Sequence, residues 1–236
     1  MKVRGVLFDL DGTLVDHETA VDDALRAWLP TLGVTPSPAV IALWHEVQER
    51  HLVAWRERTI TFAEQRRRRL REFLPAVGVP VASLDAVFQG YLRAYEDSWR
   101  AFDDVEDALT DLAELGLRTA VLTNGTTEQQ NDKLRRTGLA GRVGEVWTVE
   151  DLGVAKPDPE AFRLACERWG LPPAAVLSVG DRLDLDVLPA RAAGLAAVLI
   201  DRRAAAGPGR ISSLRELSRV AASADASGPA GIPPVR

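Results

Sequence analysis

Residues 3–9, VRGVLFD, form an apolar, β-branched run that ends in an acid. The next run of this kind is LRTAVLT at 117–123. A strand that is apolar on both faces is a buried strand, and it cannot stand alone. It must pair with strands that arrive much later in the chain. After Trp99 those strands come in alternation with helices. Asp103 or Asp104 starts a helix that runs to Leu115, followed by the strand at 117–123 and a helix at 127–136. A short strand is expected at 144–149, a helix at 158–170, a strand at 174–180, a helix at 184–193 and a strand at 195–201. Alternation of this length predicts a parallel sheet with helices on both faces.

The stretch between the first strand and this alternation, residues 16–97, is helical in pattern, rich in Arg, Trp and Leu, and contains no Lys. Helices are expected at about 18–32, 38–57, 61–76 and 83–97, broken by LGVTPSP and VGVPVAS. The fold class is therefore α/β: a Rossmann-like, doubly wound parallel-sheet core (1–15 and 98–221) with an α-helical insertion at 16–97. ISSLRELSRVA (211–221) reads as one amphipathic helix. The remaining 222–236 are rich in Ala, Gly, Pro and Ser and are expected to be disordered.

Composition narrows the function classes. Among the 236 residues, 46% are hydrophobic and 27% charged, an ordinary soluble mix with enough chain for a sizeable core. A net charge of −5 argues against nucleic acid as the partner. The single cysteine, Cys166, excludes an intramolecular disulfide framework and a multi-cysteine metal site. No apolar run approaches the ~18 residues needed to span a bilayer. The first strand meets an acid too early for a signal peptide, so a reduced, cytoplasmic location is expected. Arg outnumbers Lys 26 to 3, a bias read as codon usage.

Doubly wound sheets bind ligands at the carboxyl ends of their strands. Here those ends carry Asp9, Asp11, Gly12 and Thr13; Thr123, Asn124 and Gly125; Lys156 and Pro157; and Asp181, Asp184 and Asp186. Two like charges 4 Å apart repel by roughly 4 kcal/mol at an effective dielectric of 20. Several converging carboxylates therefore call for a divalent cation, and all-oxygen ligands point to magnesium. Thr123, Asn124 and Lys156 are donors suited to an oxyanion such as phosphate.

FDLDGTLVD (8–16), LTNG (122–125), AKPDPEAF (155–162) and VGDRLDLDVLPARAAG (179–194) resemble the four ordered motifs of the haloacid dehalogenase-like hydrolase superfamily. Any one motif is weak, but four in order at fitting spacing are specific. The resemblance implies roles residue by residue. Asp9 matches the nucleophile that forms an aspartyl-phosphate, and Asp11 the general acid/base, whose backbone carbonyl also binds the metal. Thr123 matches the hydroxyl that holds a phosphoryl oxygen, with Asn124 beside it. Lys156 matches the lysine that neutralises nucleophile and phosphate. Asp181 matches the metal-ligating acid, and Asp186 the second acid, reaching metal or lysine. Gly12 permits the tight turn that brings backbone amides, with Thr13, onto the phosphate. The metal implied is Mg2+.

The family's dehalogenases lack an acid at the position of Asp11, so its presence favours phosphoryl transfer. The insertion corresponds to the family's helical cap, and LTNGTTEQQNDKLRRTGL (122–139) looks most like nucleotide 5′-phosphatases and N-acylneuraminate 9-phosphatases. The expected activity is a magnesium-dependent phosphatase acting on a small phosphorylated metabolite, with the cap as a lid that limits substrate size. A phosphomutase uses the same four motifs. A non-catalytic protein that binds metal and phosphate is the alternative from another class, and it needs neither nucleophile nor acid. The oligomeric state is left open.

Each residue also has a plainer reading. Asp-Gly and Asn-Gly pairs make turns, Lys-Pro is a common surface loop, and Asp181 suits a helix cap. It is their combination that points to a site. Asp184 is expected to be solvated. His17, His45 and His51 show no metal-ligand spacing. Arg66 to Arg69 spread around a helix and are expected to be solvated or paired with acids of the insertion. Trp28, Trp44 and Trp55 are expected to pack its core, and Cys166 to be buried and inert.

Overall fold

A computed structural model describes residues 2–227. The chain divides into two compact units, one formed by the segment up to Asp16 together with Arg100 onward, the other by His17–Trp99.

In the first unit, six parallel strands lie side by side. They are β1 (Gly5–Phe8), β2 (Arg118–Thr123), β3 (Glu145–Thr148), β4 (Val176–Gly180), β5 (Ala196–Ile200) and β6 (Arg210–Ile211). Their order is β3-β2-β1-β4-β5-β6. β1 is central, paired with β2 through Phe8 and Val121 and with β4 through Phe8 and Val179. Successive side chains of a strand face opposite ways, and the core divides accordingly. Val6, Phe8, Val121, Leu177, Val179, Val198 and Ile200 pack on one face, with Leu109 and Leu112. Leu7, Ala120, Leu122, Val176, Ala197 and Leu199 pack on the other, with Phe162, Ala165 and Trp169. The first face is covered by α5 (Val105–Glu114), α6 (Thr127–Arg136) and α10 (Leu217–Ser227), the second by α8 (Pro159–Trp169) and α9 (Leu188–Ala192). Strand order reverses direction between β1 and β4, which makes their carboxyl ends the switch point where ligands bind in such sheets.

Four local expectations change. The strand expected to reach 149 ends at Thr148, where that side chain and Asp151 cap each other to start the one-turn helix α7 (Val149–Leu152). The helix expected from 184 begins instead as a π-helical turn over Leu183–Val187. The single helix expected at 211–221 is replaced by β6, a 3-10 turn at Leu214–Glu216 and α10. The tail expected from 222 is helical as far as Ser227, and residues 228–236 lie outside the described residues.

The second unit holds four helices: α1 (His17–Trp28), α2 (Pro38–Arg56), α3 (Phe62–Ala76) and α4 (Leu84–Asp97). α1 stops short of 32 because Pro30 cannot donate to an α-helical ladder, so Leu29–Leu32 tighten into a 3-10 turn closed by Gly33. Ser37 and Thr61 cap α2 and α3, each accepting a backbone N–H one turn on. Trp28, Trp44, Phe73 and Tyr91 pack edge-to-face at the centre of this unit. Trp55 is half-buried against Phe62.

Candidate active site

β1 delivers Asp9 to the switch point, and the Asp9 N–H donates to the Val179 carbonyl at 2.9 Å, tying it to β4. The chain then folds back on itself. The Leu14 and Val15 amides both donate to the Leu10 carbonyl, and the Gly12 N–H donates to the Val15 carbonyl. Gly12 has φ +94, a conformation open to glycine, and a Cβ there would lie 2.3 Å from Asp181 Oδ2. The missing side chain lets the end of β4 bring the Asp181 carboxylate directly against this loop.

Lys156 lies between two acids. Its Nζ donates to Asp9 Oδ1 and to Asp186 Oδ1, each at 2.6 Å, and the lysine is only 3% exposed. Burial works against its charge, yet the Asp186 and Asp9 carboxylates outweigh burial and hold its pKa above the usual lysine value. The other oxygen of Asp186 accepts the Arg182 N–H at 3.1 Å, so Asp186 is a fully engaged partner of lysine and loop. Asn124 fixes the Lys156 backbone from both sides. Its Nδ2 donates to the Lys156 carbonyl and its Oδ1 accepts the Lys156 N–H, both at 2.8 Å. This uses the Asn124 amide to hold the lysine loop, a different position from the ligand-facing one its sequence context implied.

Oxygens of Asp9, Asp181 and Asp186 lie within 4.8 Å of one another. Burial pushes the Asp9 carboxyl up to about 7, with Asp186 and Asp11 adding repulsion that Lys156 only partly offsets. Burial, then Asp9 and Asp186, push Asp181 up to about 8. Asp9 Oδ2 is buried and finds no hydrogen-bond partner among the described residues. A crowded set of hard carboxylate oxygens fits a small divalent cation such as magnesium. Asp9 and Asp181 offer oxygens for it.

Thr123, at the end of β2, is buried, and its Oγ1 accepts from Gln130 Nε2 at 2.6 Å. The same Nε2 donates to Asp11 Oδ2 at 3.1 Å, and Lys133 Nζ donates to Asp11 Oδ1 at 2.5 Å. Thr13 is wholly buried. Its hydroxyl finds no partner among the described residues, and its carbonyl accepts from Arg202 Nη2 at 2.9 Å. Asp184 is exposed and bonds Arg182.

Gln130 and Lys133 escaped sequence reasoning because α6 is so polar that a buried lysine there resembles a solvated one. One signal was present. The chain uses Arg at 26 of its 29 basic positions, so each lysine is a departure. Two of the three, Lys133 and Lys156, are buried against Asp11 and Asp9.

The residues without site spacing are accounted for locally. His45 meets Asp22, His51 meets Glu72, and His17 meets Tyr95. Of the four arginines, Arg67 pairs with Asp85 and Arg68 with Glu64, Arg66 lies over Phe62, and Arg69 is buried against Gln48 and Gln65. Burial raises the Cys166 thiol to about 11, the state of an inert packing residue.

Comparison with known proteins fits this geometry. Residues 3–194 match the family model described as haloacid dehalogenase-like hydrolase. A glyceraldehyde 3-phosphate phosphatase of Methanopyrus kandleri is 33% identical over 214 residues, covering 85% of this chain and 84% of its own. A phosphoglycolate phosphatase of Escherichia coli O157:H7 is 33% identical over 218 residues, covering 83% and 80%. The crystal structure of a HAD-hydrolase of Bacillus subtilis, YfnB, bound to magnesium, superposes with a TM-score of 0.85 at 25% identity, covering 94% of this chain and all of that one. The chain belongs to the haloacid dehalogenase-like hydrolases.

Proposed function

We propose that this hydrolase is a magnesium-dependent phosphatase that removes the phosphoryl group of a small phosphorylated metabolite through an aspartyl-phosphate on Asp9. The observation that carries this reading is the state of the Asp9 carboxylate. Lys156 anchors one oxygen, and the other is buried without a partner among the described residues. That second oxygen is the one with a lone pair to give.

In this reading the Asp9 oxygen attacks phosphorus and the ester P–O bond breaks. Asp11 protonates the leaving oxygen, and the alcohol departs. Asp11, now a carboxylate, takes a proton from water as the water oxygen attacks phosphorus. The P–O bond to Asp9 breaks, phosphate leaves and Asp9 is restored. Lys156 neutralises Asp9 and the transferring group, and Thr123 donates its hydroxyl to a phosphoryl oxygen. Asp9, Asp181 and the Asp11 carbonyl would hold the magnesium ion, which when bound neutralises the negative charge gathered around the phosphoryl group.

An acid at position 11 favours phosphoryl transfer over dehalogenation, since an oxygen leaving group needs the proton and a halide does not. The phosphatase relatives named above, both 33% identical, support the same choice. The test is phosphate release from p-nitrophenyl phosphate and a panel of sugar phosphates, nucleoside monophosphates and phosphorylated acids, with magnesium present. Asp9→Asn keeps the shape and removes the nucleophile, so turnover is expected to vanish while the melting profile holds. Activity of Asp9→Asn within about tenfold of the unaltered protein would exclude the covalent route, since loss of a nucleophile costs far more.

A further inference from the structure

We infer that Gln130 and Lys133, one turn apart on α6, are positioning residues that set the orientation of Asp11 and of the Thr123 hydroxyl. The inference rests on the phosphatase reading, in which Asp11 moves the proton.

Both oxygens of Asp11 are held from α6, Oδ1 by the Lys133 ammonium and Oδ2 by the Gln130 amide. Residues three apart on a helix share a face, so one rigid element clamps the carboxylate at two points. A carboxylate gripped at both oxygens has its plane and its lone pairs fixed, which is what transfer of a proton along a defined line requires. The Gln130 amide also reaches Thr123, whose oxygen it fills as an acceptor at 2.6 Å. With that oxygen occupied, the Thr123 O–H is left to donate elsewhere, and the phosphoryl oxygen is the acceptor the mechanism supplies.

Three features show that this arrangement is maintained against ordinary preferences. Lys133 is 1% exposed, and an ammonium is not buried without a strong partner. Gln130 Oε1 is buried and finds no partner among the described residues. Ionised Asp11, the state in which it takes the proton from water, accepts at both oxygens, so the amide presents its NH2 to it, and the orphaned carbonyl is the consequence. Gly125 leaves the space the amide occupies: a Cβ there would stand 2.4 Å from Gln130 Cδ. The scarcity of lysine points the same way. Arginine fills 26 of the 29 basic positions in this chain, whereas at Lys133 and Lys156 a compact ammonium serves as a slim buried donor.

The test is a double-mutant cycle on turnover. Lys133→Met and Gln130→Met are compared on p-nitrophenyl phosphate and on an alkyl phosphate, each in the unaltered protein and in Asp11→Asn. Nitrophenolate leaves with little need of a proton, which keeps the Asp11→Asn background measurable. If the residues act through Asp11, each variant loses about 10- to 100-fold in kcat with KM within about threefold. The loss is about tenfold greater on the alkyl ester. In the Asp11→Asn background Lys133→Met costs less than about twofold, whereas Gln130→Met keeps only the part of its loss that runs through Thr123. Lys133→Arg, which keeps the charge, recovers part of the kcat. Equal losses on both esters for Lys133→Met, or a full loss of either variant in the Asp11→Asn background, would overturn the inference. So would variants that melt far below the unaltered protein without the ester dependence, because that assigns the pair to stability alone. If the unaltered protein turns over neither ester, the phosphatase reading itself has failed, and this inference with it.

Discussion

Lys156 meets Asp9 at 2.6 Å across 147 residues of sequence, and the same ammonium meets Asp186 at 2.6 Å. One cation thus serves two acids, a half-buried Asp9 and a buried Asp186. Lys156→Met removes the neutralising charge from both. Turnover is expected to fall by about 10²–10³-fold, the loss typical of a charge-stabilising donor. Because the ammonium contacts the nucleophile, all substrates of a metabolite panel should weaken alike. Lys156→Arg should not rescue, since the guanidinium is planar and larger than the slot a 3%-exposed lysine fills. A variant that kept activity within about tenfold, or lost it for some substrates only, would place the neutralising group elsewhere.

Magnesium and protons should compete at the acidic cluster. Burial and mutual repulsion push Asp9 to about 7 and Asp181 to about 8, above their ordinary unfolded values. A carboxyl whose folded pKa is raised binds its proton more tightly when folded. Its contribution to stability is full below the unfolded value of about 4 and is lost as pH rises through the folded value. Metal-free protein should therefore lose stability from these two groups between about pH 4 and pH 8. Magnesium relieves the same repulsion, so its addition should raise the Tm more near pH 8 than near pH 5. Asp181→Asn should raise the metal-free Tm near pH 8 and abolish the magnesium effect. Equal magnesium shifts at both pH values would show that the cation binds away from these acids.

How much of this was legible in the sequence depends on what each residue does. The buried strands read clearly because a parallel strand is apolar on both faces, and Val6, Leu7 and Phe8 need no neighbour to announce themselves. Asp9, Thr123 and Asp181 read from strand ends, since topology sends such ends to one crevice, whereas Lys156 lies beyond α7 and read from the motif around it. β6 did not read, because two residues cannot carry a period. The π-helical turn at 183–187, closed by the Leu188 N–H on the Leu183 carbonyl, did not read because five residues are too few to show which helical period they follow. Residue type marks Asn124 as a donor, but not that its amide is matched atom for atom to a loop 32 residues away. Pairings at that separation depend on register in three dimensions, which no local pattern encodes.

Gly12 is the backbone test of the site. Its φ of +94 disfavours any side chain, and a Cβ would stand 2.3 Å from Asp181 Oδ2. Gly12→Ala thus combines backbone strain with a steric push on an acid proposed to hold the metal. A loss of about 1–3 kcal/mol in stability is expected from the strain. The displaced carboxylate should raise the magnesium concentration needed for half-maximal activity. Measuring both separates the effects. A stable Gly12→Ala protein with unchanged magnesium dependence would mean that the loop and Asp181 can part without consequence.

Asp104 ties the start of α5 to Arg202, Ser213 and Leu214, and through Arg202 to the Thr13 carbonyl. Its carboxylate accepts from Arg202 Nη1 at 2.7 Å and Nη2 at 3.0 Å, from Ser213 Oγ at 2.7 Å and from the Leu214 N–H at 2.9 Å. Burial raises its pKa, but these bonds outweigh burial and hold it below the usual carboxylate value. For a carboxyl lowered on folding, the stabilisation is present above the unfolded pKa of about 4 and is lost as pH falls through the folded value. Asp104→Asn keeps the size but removes the charge that Arg202 pairs with, and it turns one acceptor into a donor facing other donors. A destabilisation of about 2–4 kcal/mol is expected at neutral pH, near the figure for breaking a largely buried ion pair. The gap between variant and unaltered protein should narrow as pH falls below about 4, because the native Asp104 then protonates as well. Chemical denaturation at neutral pH and near pH 3.5 measures both values. A gap that stayed constant with pH would show that Asp104 stabilises by shape alone, with no contribution from its charge.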